Sequence, residues 1–239
     1  TKINNKKTSM LIGMISDIHS NMVALSRVLE ELENKNPDYI LCLGDIVGYG
    51  PQPNEVCEEL RERENVIAVK GNHDQAVLSG DTEKLNEAAT QAVKWTREKI
   101  DENNLQFLKS LNRYEALEFE QFHVFAVHGS PRDYLNEYVY EDTPEEELEE
   151  MFEETKAHLI ATGHTHIPYV REVGTRLFMN AGSVGQPRDR DRRSSYVVID
   201  TEERSVNIQR VPYDVEETAG SIKSSRLPDS LGERLYYGR

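Results

Sequence analysis

Apolar residues along the chain alternate between short continuous runs and helically spaced sets, which predicts strands separated by helices. The first runs cover residues 10–16, 39–43 and 66–69. Residues 23–32 carry apolar side chains at helical spacing behind a cap at Ser20 or Asn21, and residues 56–60 predict a shorter helix. This β-α-β-α-β order favours parallel strands covered by helices.

The second half of the chain has a similar mixture of elements. Residues 83–111 lack strand signals and predict two or more helices with a break near Asn103-Asn104. The predicted strands pair residues 114–119 with 122–127, 169–173 with 176–179 and 196–199 with 206–211, and a single strand covers 159–161. Thr143-Pro144-Glu145-Glu146 predicts a helix start with a capping box, and the tail from Pro212 is mixed, with a short terminal helix.

Polar side chains follow the buried strands at the points where those strands end. They are Asp17 and His19; Asp45; Asn72, His73 and Asp74; His128; and His164 and His166. We read the stretch from Gly71 to Asp74 as a polar strand-end loop. Ligands of open α/β sheets bind at the carboxyl edge of the strands, so five distant segments are expected to deliver these side chains to one rim.

The residue types at these strand ends are those of a metal site. Five of the seven histidines lie there, whereas His123 and His158 are expected to be ordinary solvent-facing or locally hydrogen-bonded imidazoles. Imidazole, carboxylate and amide oxygen without thiolate suit Mn, Fe, Co, Ni, Zn or Mg. The number of ligands exceeds the need of one ion, and two-metal hydrolytic sites hold their ions roughly 3.5–4 Å apart.

The charge, cysteine content and apolar runs of the chain limit the partners and the cellular compartment that we expect for it. The 239 residues carry a formal net charge of −15, which disfavours non-specific nucleic-acid binding and a nuclease role. Two cysteines, Cys42 and Cys57, give no disulfide framework and favour a reducing compartment. No apolar run approaches the roughly 20 residues that span a bilayer, so we expect a cytoplasmic protein without membrane contact.

The motifs together resemble the signature of the calcineurin-like metallophosphoesterase superfamily over residues 10–211. They are Asp17-Ile18-His19, Gly44-Asp45, Gly71-Asn72-His73-Asp74, His128-Gly129 and Gly163-His164-Thr165-His166. The stretches 44–51 and 180–188 resemble its small bacterial and archaeal branch. The resemblance implies an α/β fold, a four-layer α-β-β-α sandwich of two mixed β-sheets flanked by helices. We expect one domain over 1–239, with a core at 10–211, a cap-like helical segment at 83–111 and a tail at 212–239.

The resemblance also implies a role for each residue. Asp17, His19 and His166 are implied to bind one divalent ion, Asn72, His128 and His164 the other, and Asp45 both. His73 is implied to act as general acid to the leaving oxygen or as a donor that stabilises transition-state charge, and Asp74 to orient it or to fix the loop. The expected cofactors are two divalent ions, Mn first, with Ni, Fe, Co, Zn or Mg as alternatives. A hydroxide bridging them is expected to attack phosphorus without a covalent enzyme intermediate.

The substrate stays open between several classes. No Arg follows Gly44-Asp45, Lys70 precedes Gly71-Asn72-His73, and Asp74 stands where protein phosphatases of the superfamily have Glu, which disfavours a protein phosphatase. We favour a phosphodiester slightly over a phosphomonoester. The alternatives are a phosphatase for nucleotides or other small phosphorylated metabolites, and a non-catalytic binding scaffold. Arg132 and Arg188 are candidate phosphate ligands, and loop tyrosines 49, 134, 138 and 140 are candidates for stacking on a base.

Overall fold

The computed structural model describes residues 9–119 and 122–239. Its strands are β1 (Leu11–Ile15), β2 (Tyr39–Cys42), β3 (Val66–Ala68), β4 (Tyr114–Phe119), β5 (Phe122–Val127), β6 (Leu159–Thr162), β7 (Tyr169–Val173), β8 (Arg176–Asn180), β9 (Ser194–Asp200) and β10 (Ser205–Val211). Its α-helices are α1 (Met22–Lys35), α2 (Pro53–Arg61), α3 (Asn72–Ser79), α4 (Glu87–Lys99), α5 (Glu102–Ser110), α6 (Glu145–Thr155), α7 (Val215–Ser224) and α8 (Asp229–Glu233). A short 3-10 helix, Arg234–Tyr237, follows α8.

The strands form two mixed sheets of five strands each. The first sheet has the order β10-β9-β1-β2-β3, with β1, β2 and β3 parallel as the β-α-β-α-β pattern predicts. The second has the order β4-β5-β6-β8-β7, with β5, β6 and β8 parallel. All three predicted hairpins pair as antiparallel strands. The prediction of an α/β sandwich of two mixed sheets is therefore confirmed.

Successive side chains of a strand point to opposite faces of its sheet, so each sheet packs against the other sheet on one face and against helices on the other. In β1, Ile12 and Met14 belong to the apolar cluster between the two sheets, whereas Ile15 belongs to the cluster under α1 and α2. A third cluster joins the outer face of the second sheet to α6 through Phe178 and Phe152. Burying a side chain of this size contributes about 1.5–3 kcal/mol, so these clusters hold both sheets in place beneath the site.

Three local predictions were wrong. Helix α3 begins at Asn72, inside the stretch predicted as a loop, because Asp74 accepts a hydrogen bond from Gly71 N (2.8 Å) and caps the helix. The break in residues 83–111 lies at the N-cap Asp101, not at Asn103-Asn104. The predicted capping box of α6 is absent, because the Thr143 hydroxyl accepts from Tyr140 N (3.1 Å) instead.

The tail forms more structure than the single short helix predicted for it. Helices α7 and α8 and the 3-10 helix pack with α4 in one apolar cluster that includes Leu231, Leu235 and Tyr49. The tail therefore lies against the loop that follows β2. No helix within the described residues is both long and apolar enough to cross a bilayer.

Candidate metal centre and active site

All seven candidate metal ligands meet at one rim, where the parallel strands of both sheets end. Asp17 and His19 follow β1, Asp45 follows β2, Asn72 follows β3, His128 follows β5, and His164 and His166 follow β6. All of them except Asn72 are buried. The apposed carboxyl edges of the two sheets thus build a single site from segments far apart in sequence.

One group of ligand atoms consists of a carboxylate oxygen and two imidazole nitrogens. His166 Nε2 lies 3.1 Å from Asp17 Oδ1 and 3.1 Å from His19 Nε2. His19 Nε2 lies 3.7 Å from Asp17 Oδ1. Three potential ligand atoms at such separations fit around one cation.

A second group lies beside the first and shares Asp45 with it. His128 Nε2 lies 3.0 Å from Asn72 Oδ1 and 3.1 Å from His164 Nδ1. Asp45 Oδ2 is 3.4 Å from His128 Nε2 and 3.6 Å from His19 Nε2, so one oxygen faces both groups. This is the arrangement that a bridging carboxylate requires.

The candidate ligand histidines are oriented by backbone carbonyl oxygens on their opposite side. The contacts are His19 Nδ1 to Val47 O (3.2 Å), His128 Nδ1 to Leu43 O (2.8 Å), His166 Nδ1 to Gln186 O (2.5 Å) and His164 Nε2 to Asn136 O (3.2 Å). A carbonyl only accepts, so the nitrogen facing it carries the proton and the other nitrogen can present a lone pair to the centre. Metal-binding histidines are typically oriented in this way.

The hydrogen bonding of the Asp17 carboxylate shows whether the first group of ligand atoms suits a cation. Its Oδ2 accepts from Ser16 Oγ (2.6 Å) and from His164 N (2.9 Å). Its Oδ1 is buried and has no hydrogen-bond donor among the described residues, because the nearby His166 Nε2 (3.1 Å) presents a lone pair when Nδ1 donates to the Gln186 carbonyl. An anionic oxygen left in this state is costly unless a cation binds it. The donor set and this unsatisfied oxygen therefore fit divalent metal ions.

The carboxylates of Asp17 and Asp45 are both anionic in this site. Burial raises the pKa of Asp17, but His166 and His19 outweigh it and hold the pKa well below its usual range. Burial likewise raises the pKa of Asp45, and the charge of the neighbouring His128 more than reverses this effect. Each carboxylate therefore offers full negative charge to a ligand.

The imidazoles differ in charge state. Burial lowers the pKa of His164 to about 3 and that of His166 to about 4, so both are neutral near pH 7. Burial also lowers the pKa of His128, but Asp45 and Asp17 outweigh it and raise the pKa to about 9. A ligand role thus requires His128 to lose a proton.

His73 is positioned differently from the ligand histidines. Its backbone N–H donates to Asp45 Oδ1 (2.8 Å), and its ring packs against Tyr49 at 4.5 Å between ring centroids. Its Nδ1 is buried and has no partner among residues 9–119 and 122–239. Burial lowers its pKa to about 3. His73 lines the cavity above the metal groups.

The Asp74 carboxylate accepts hydrogen bonds from backbone N–H groups, and His73 Nδ1 has no hydrogen bond with it. Its Oδ2 accepts from Gly71 N (2.8 Å) and its Oδ1 from Val47 N (3.0 Å). Burial, assisted by the charge of Asp45, raises its pKa to about 6. Of the two roles predicted for Asp74, its contacts match the fixing of the loop and not the orientation of His73.

A cavity of about 260 Å³ opens above the two ligand groups. Its walls include Arg188, Tyr49 and Tyr138, together with Lys84 from the start of segment 83–111. Tyr138 stacks on His164 with 3.9 Å between ring centroids. The site therefore combines a floor of side chains suited to binding metal with cationic and aromatic walls.

The other predicted substrate contacts lie elsewhere. Arg132 forms ion pairs with Glu137 and, at 2.8 Å, with Glu147, and it is not part of the cavity wall. Tyr134 packs on the strand residue Phe125 at 6.5 Å between ring centroids. Tyr140 lies outside the cavity and stacks against Tyr138. Of the two candidate arginines, only Arg188 faces the site.

Sequence reasoning missed several residues of the site, among them Lys84, Asn136 and Gln186. Lys84 and Asn136 come from loops that give no sequence signal. Gln186 lies in the stretch 180–188, which was singled out by resemblance, but its carbonyl contact with His166 depends on the path of the backbone. His123 and His158, predicted to lie away from the site, form a ring pair with each other at 5.0 Å.

The loops that carry the ligands have strained backbones. Five of the seven candidate ligands adopt left-handed φ values: Asp17 (52°), His19 (50°), Asp45 (52°), His164 (67°) and His166 (61°). Such residues cost of order 1–3 kcal/mol each and persist where the surrounding structure fixes them. The strain is concentrated where the site is built.

Gly163 is required by close approach to Asp17. A Cβ at Gly163 would lie 2.0 Å from Ser16 Oγ and 2.7 Å from Asp17 Oδ2. We expect Gly163→Ala to lower the free energy of unfolding by about 1–3 kcal/mol through overpacking, and to lower the metal content by displacing Asp17. Denaturant unfolding and metal analysis measure the two effects.

The matched control for this prediction is Gly220→Ala. A Cβ at Gly220, inside α7, meets nothing within 4 Å. This variant is expected to keep its metal and to gain about 0.5–1 kcal/mol of stability. Equal behaviour of the two variants would contradict the packing argument.

Comparison with known proteins agrees with this geometry. The sequence model of the calcineurin-like phosphoesterase superfamily domain matches residues 10–204. A protein of Methanocaldococcus jannaschii without assigned function is 38% identical over 246 residues, covering 96% of this chain and 98% of that protein. Phosphodiesterase YfcE of Escherichia coli is 26% identical, covering 82% and 91%.

A solved structure of a metallophosphoesterase is also similar to this chain. The crystal structure of a metallophosphoesterase from Sphaerobacter thermophilus superposes with a TM-score of 0.82 at 35% identity, covering 97% of this chain and 100% of that one. The family is metal-dependent, and the Asp and His groups described above are suited to binding metal. The chain therefore belongs to the calcineurin-like metallophosphoesterase superfamily, in its small prokaryotic branch.

Proposed function

We propose that this protein is a dinuclear metal-dependent phosphoesterase that hydrolyses a small phosphodiester, with a phosphomonoester as the second choice. The observation that carries the proposal is the position of Asp45 Oδ2, which faces His128 Nε2 at 3.4 Å and His19 Nε2 at 3.6 Å. This shared oxygen lies at the floor of a cavity that His73 and Arg188 also line.

Two ions have separate ligand sets in this proposal. Asp17, His19 and His166 hold one ion, Asn72, His128 and His164 hold the other, and Asp45 binds both. Bound divalent ions supply neutralisation of phosphate charge and a lowered pKa for water. Mn is the first candidate, and Ni, Fe, Co, Zn and Mg suit the same donors.

The protein's own groups then act on the substrate. Arg188 binds non-bridging phosphate oxygens through its guanidinium, a charge-assisted contact that orients the ester. His73 lies in the cavity wall where it can donate a proton to the departing oxygen, a role worth typically 10²–10⁴-fold in rate. Because burial lowers the pKa of His73 to about 3, this role requires the anionic phosphate of the substrate to raise that pKa. Ser16 Oγ is committed to Asp17 and Ser130 Oγ to Glu137, so neither of these two hydroxyls is free to act as a nucleophile.

The walls indicate the class of substrate. The cavity of about 260 Å³ suits a small ester and not an extended polymer. The name of the Escherichia coli relative, a phosphodiesterase, supports the diester. Tyr138, which is 50% exposed and stacks on His164, favours an aromatic substituent such as a base. This contact supports a nucleotide phosphatase as the second candidate function.

The test is a matrix of metals and substrates. Metal-free protein is supplied with Mn, Ni, Co, Zn or Mg and assayed on bis-(p-nitrophenyl) phosphate, p-nitrophenyl phosphate and a panel of nucleotides. We expect EDTA to abolish hydrolysis and Mn to restore it, because both carboxylates of the site depend on bound cations. Hydrolysis that persists in EDTA, or tight partner binding without any turnover under saturating Mn, would contradict the proposal. The second result would favour a scaffold.

A further inference from the structure

The C-terminal tail brings a second arginine to the back of the active site. Arg234 opens the 3-10 helix Arg234–Tyr237 and is half-buried beside Tyr49 and Gln186. The region matched by the family's sequence model ends at residue 204, so the tail lies outside it. The position of Arg234 is thus a feature of the tail and not of the matched domain.

Arg188 and Arg234 share the same neutral partners. Arg188 Nη2 donates to Gln186 Oε1 (3.0 Å) and to the Tyr49 hydroxyl (3.4 Å), and Arg234 Nη1 donates to Gln186 Oε1 (3.2 Å). Both guanidinium carbons lie near the Tyr49 ring, at 5.8 and 6.0 Å from its centroid. One amide oxygen and one ring therefore hold two cationic groups together.

Among the described residues, no carboxylate forms an ion pair with Arg188 or Arg234. The nearest acidic residues in sequence are engaged elsewhere, Asp189 with Arg210 and Asp191 with Arg193. Within the part of the chain that the structure describes, the buried Arg188 Nε also has no hydrogen-bond partner. Two adjacent cations with unused donor capacity favour the binding of an anion.

The pair is also joined to the metal-binding floor. Arg188 lines the cavity, whereas Arg234 lies behind it and is not part of the cavity wall. The backbone carbonyl of Gln186 accepts from His166 Nδ1 (2.5 Å), while its side chain holds both arginines. Gln186 therefore fixes the guanidinium of Arg188 relative to a candidate metal ligand.

We propose that Arg234 is a positioning residue, which acts with Gln186 to hold Arg188 toward the phosphate oxygens of the substrate and so sets phosphate affinity. This inference rests on the proposed phosphoesterase function. It makes the tail a part of substrate recognition, because removing Arg234 frees the Gln186 amide to rotate and so loosens the guanidinium of Arg188. The chemical step itself is expected to continue, since Arg234 does not reach the reacting atoms.

The test uses the full-length, Mn-loaded chain with Arg188→Ala, Arg234→Ala, Arg234→Lys and the double alanine variant. KM and kcat are measured on bis-(p-nitrophenyl) phosphate, and the dissociation constant of inorganic phosphate is measured by calorimetry. Arg188→Ala is expected to raise both KM and that constant about 10- to 100-fold, as for loss of a charge-assisted hydrogen bond. Arg234→Ala is expected to raise them roughly 3- to 10-fold with kcat within about twofold, and Arg234→Lys to recover part of the loss.

The double variant separates positioning from an independent contact. If Arg234 acts through Arg188, its removal adds nothing in the Arg188→Ala background. Tyr237→Ala, on the same 3-10 helix and 64% exposed, is the matched control and is expected to match the wild type. An unchanged phosphate constant in Arg234→Ala, or effects that multiply in the double variant, would overturn the inference.

The outcomes distinguish this inference from the proposed function. Absence of turnover with every metal and ester would refute the proposed function, and the phosphate titrations would still decide the role of Arg234. Turnover with no response to Arg234→Ala would refute the inference alone. If the wild-type protein does not bind inorganic phosphate at all, the inference about Arg234 is overturned as well. Thermal unfolding of each variant verifies that the chain is folded.

Discussion

Asp45→Asn is expected to abolish hydrolysis and to remove or scramble both metal ions. Asp45 Oδ2 faces both ligand groups, while Oδ1 is already held by His73 N. An amide keeps the shape but loses the negative charge between two cations. Metal-ion stabilisation is worth several kcal/mol, so at 1.36 kcal/mol per tenfold we expect a loss of about 10³-fold or more in kcat. Metal content by mass spectrometry and steady-state kinetics measure the result.

The control for Asp45 is another carboxylate outside the site. Asp142 is exposed, and Asp142→Asn changes the net charge by the same amount. This variant is expected to retain full metal content and activity. Full turnover in Asp45→Asn, or equal losses in the two variants, would contradict the bridging role.

His73→Ala is expected to keep both metals but to lower kcat. The His73 side chain lines the cavity, and its backbone N–H, which the substitution retains, holds Asp45. General acid catalysis contributes typically 10²–10⁴-fold. The loss is expected to be larger for alkyl esters than for p-nitrophenyl esters, because a poor leaving group depends more on protonation. Kinetics on a leaving-group series measure this difference.

The competing role for His73 is that of a metal ligand. His73, His19 and Asp45 also form a set of potential ligand atoms within 4.8 Å of one another. Loss of a metal ion in His73→Ala would therefore assign it to the metal site and contradict the general-acid role. His123→Ala is the matched control, because His123 pairs with His158 away from the site, and it is expected to change neither metal content nor kcat.

The position of the candidate ligands could be predicted from the sequence because residue type and strand periodicity are both local signals. Asp17 and Asp45 stand directly after apolar runs, and parallel pairing of β1 with β2 necessarily brings such ends together. The same reasoning placed His164 and His166 after β6. The positions of polar side chains that directly follow buried strands can therefore be predicted from one sequence.

Other parts of the site depend on tertiary contacts that have no local signal. The start of α3 was missed because its N-cap is Gly71, which resembles a turn residue in sequence. Gly71 is required there, since a Cβ would lie 2.1 Å from Asp45 Oδ1. Arg234 approaches Gln186 only because α7 and α8 fold the tail back onto the loop of Tyr49. Such a long-range contact is set by packing and not by residue pattern.

Anomalous diffraction from crystals of this protein grown with Mn²⁺ tests the central claim most directly. The account predicts two anomalous peaks at the rim of the two sheets, one beside Asp17, His19 and His166 and one beside Asn72, His128 and His164, with Asp45 contacting both. A single peak, or ions bound only away from this rim, would contradict it.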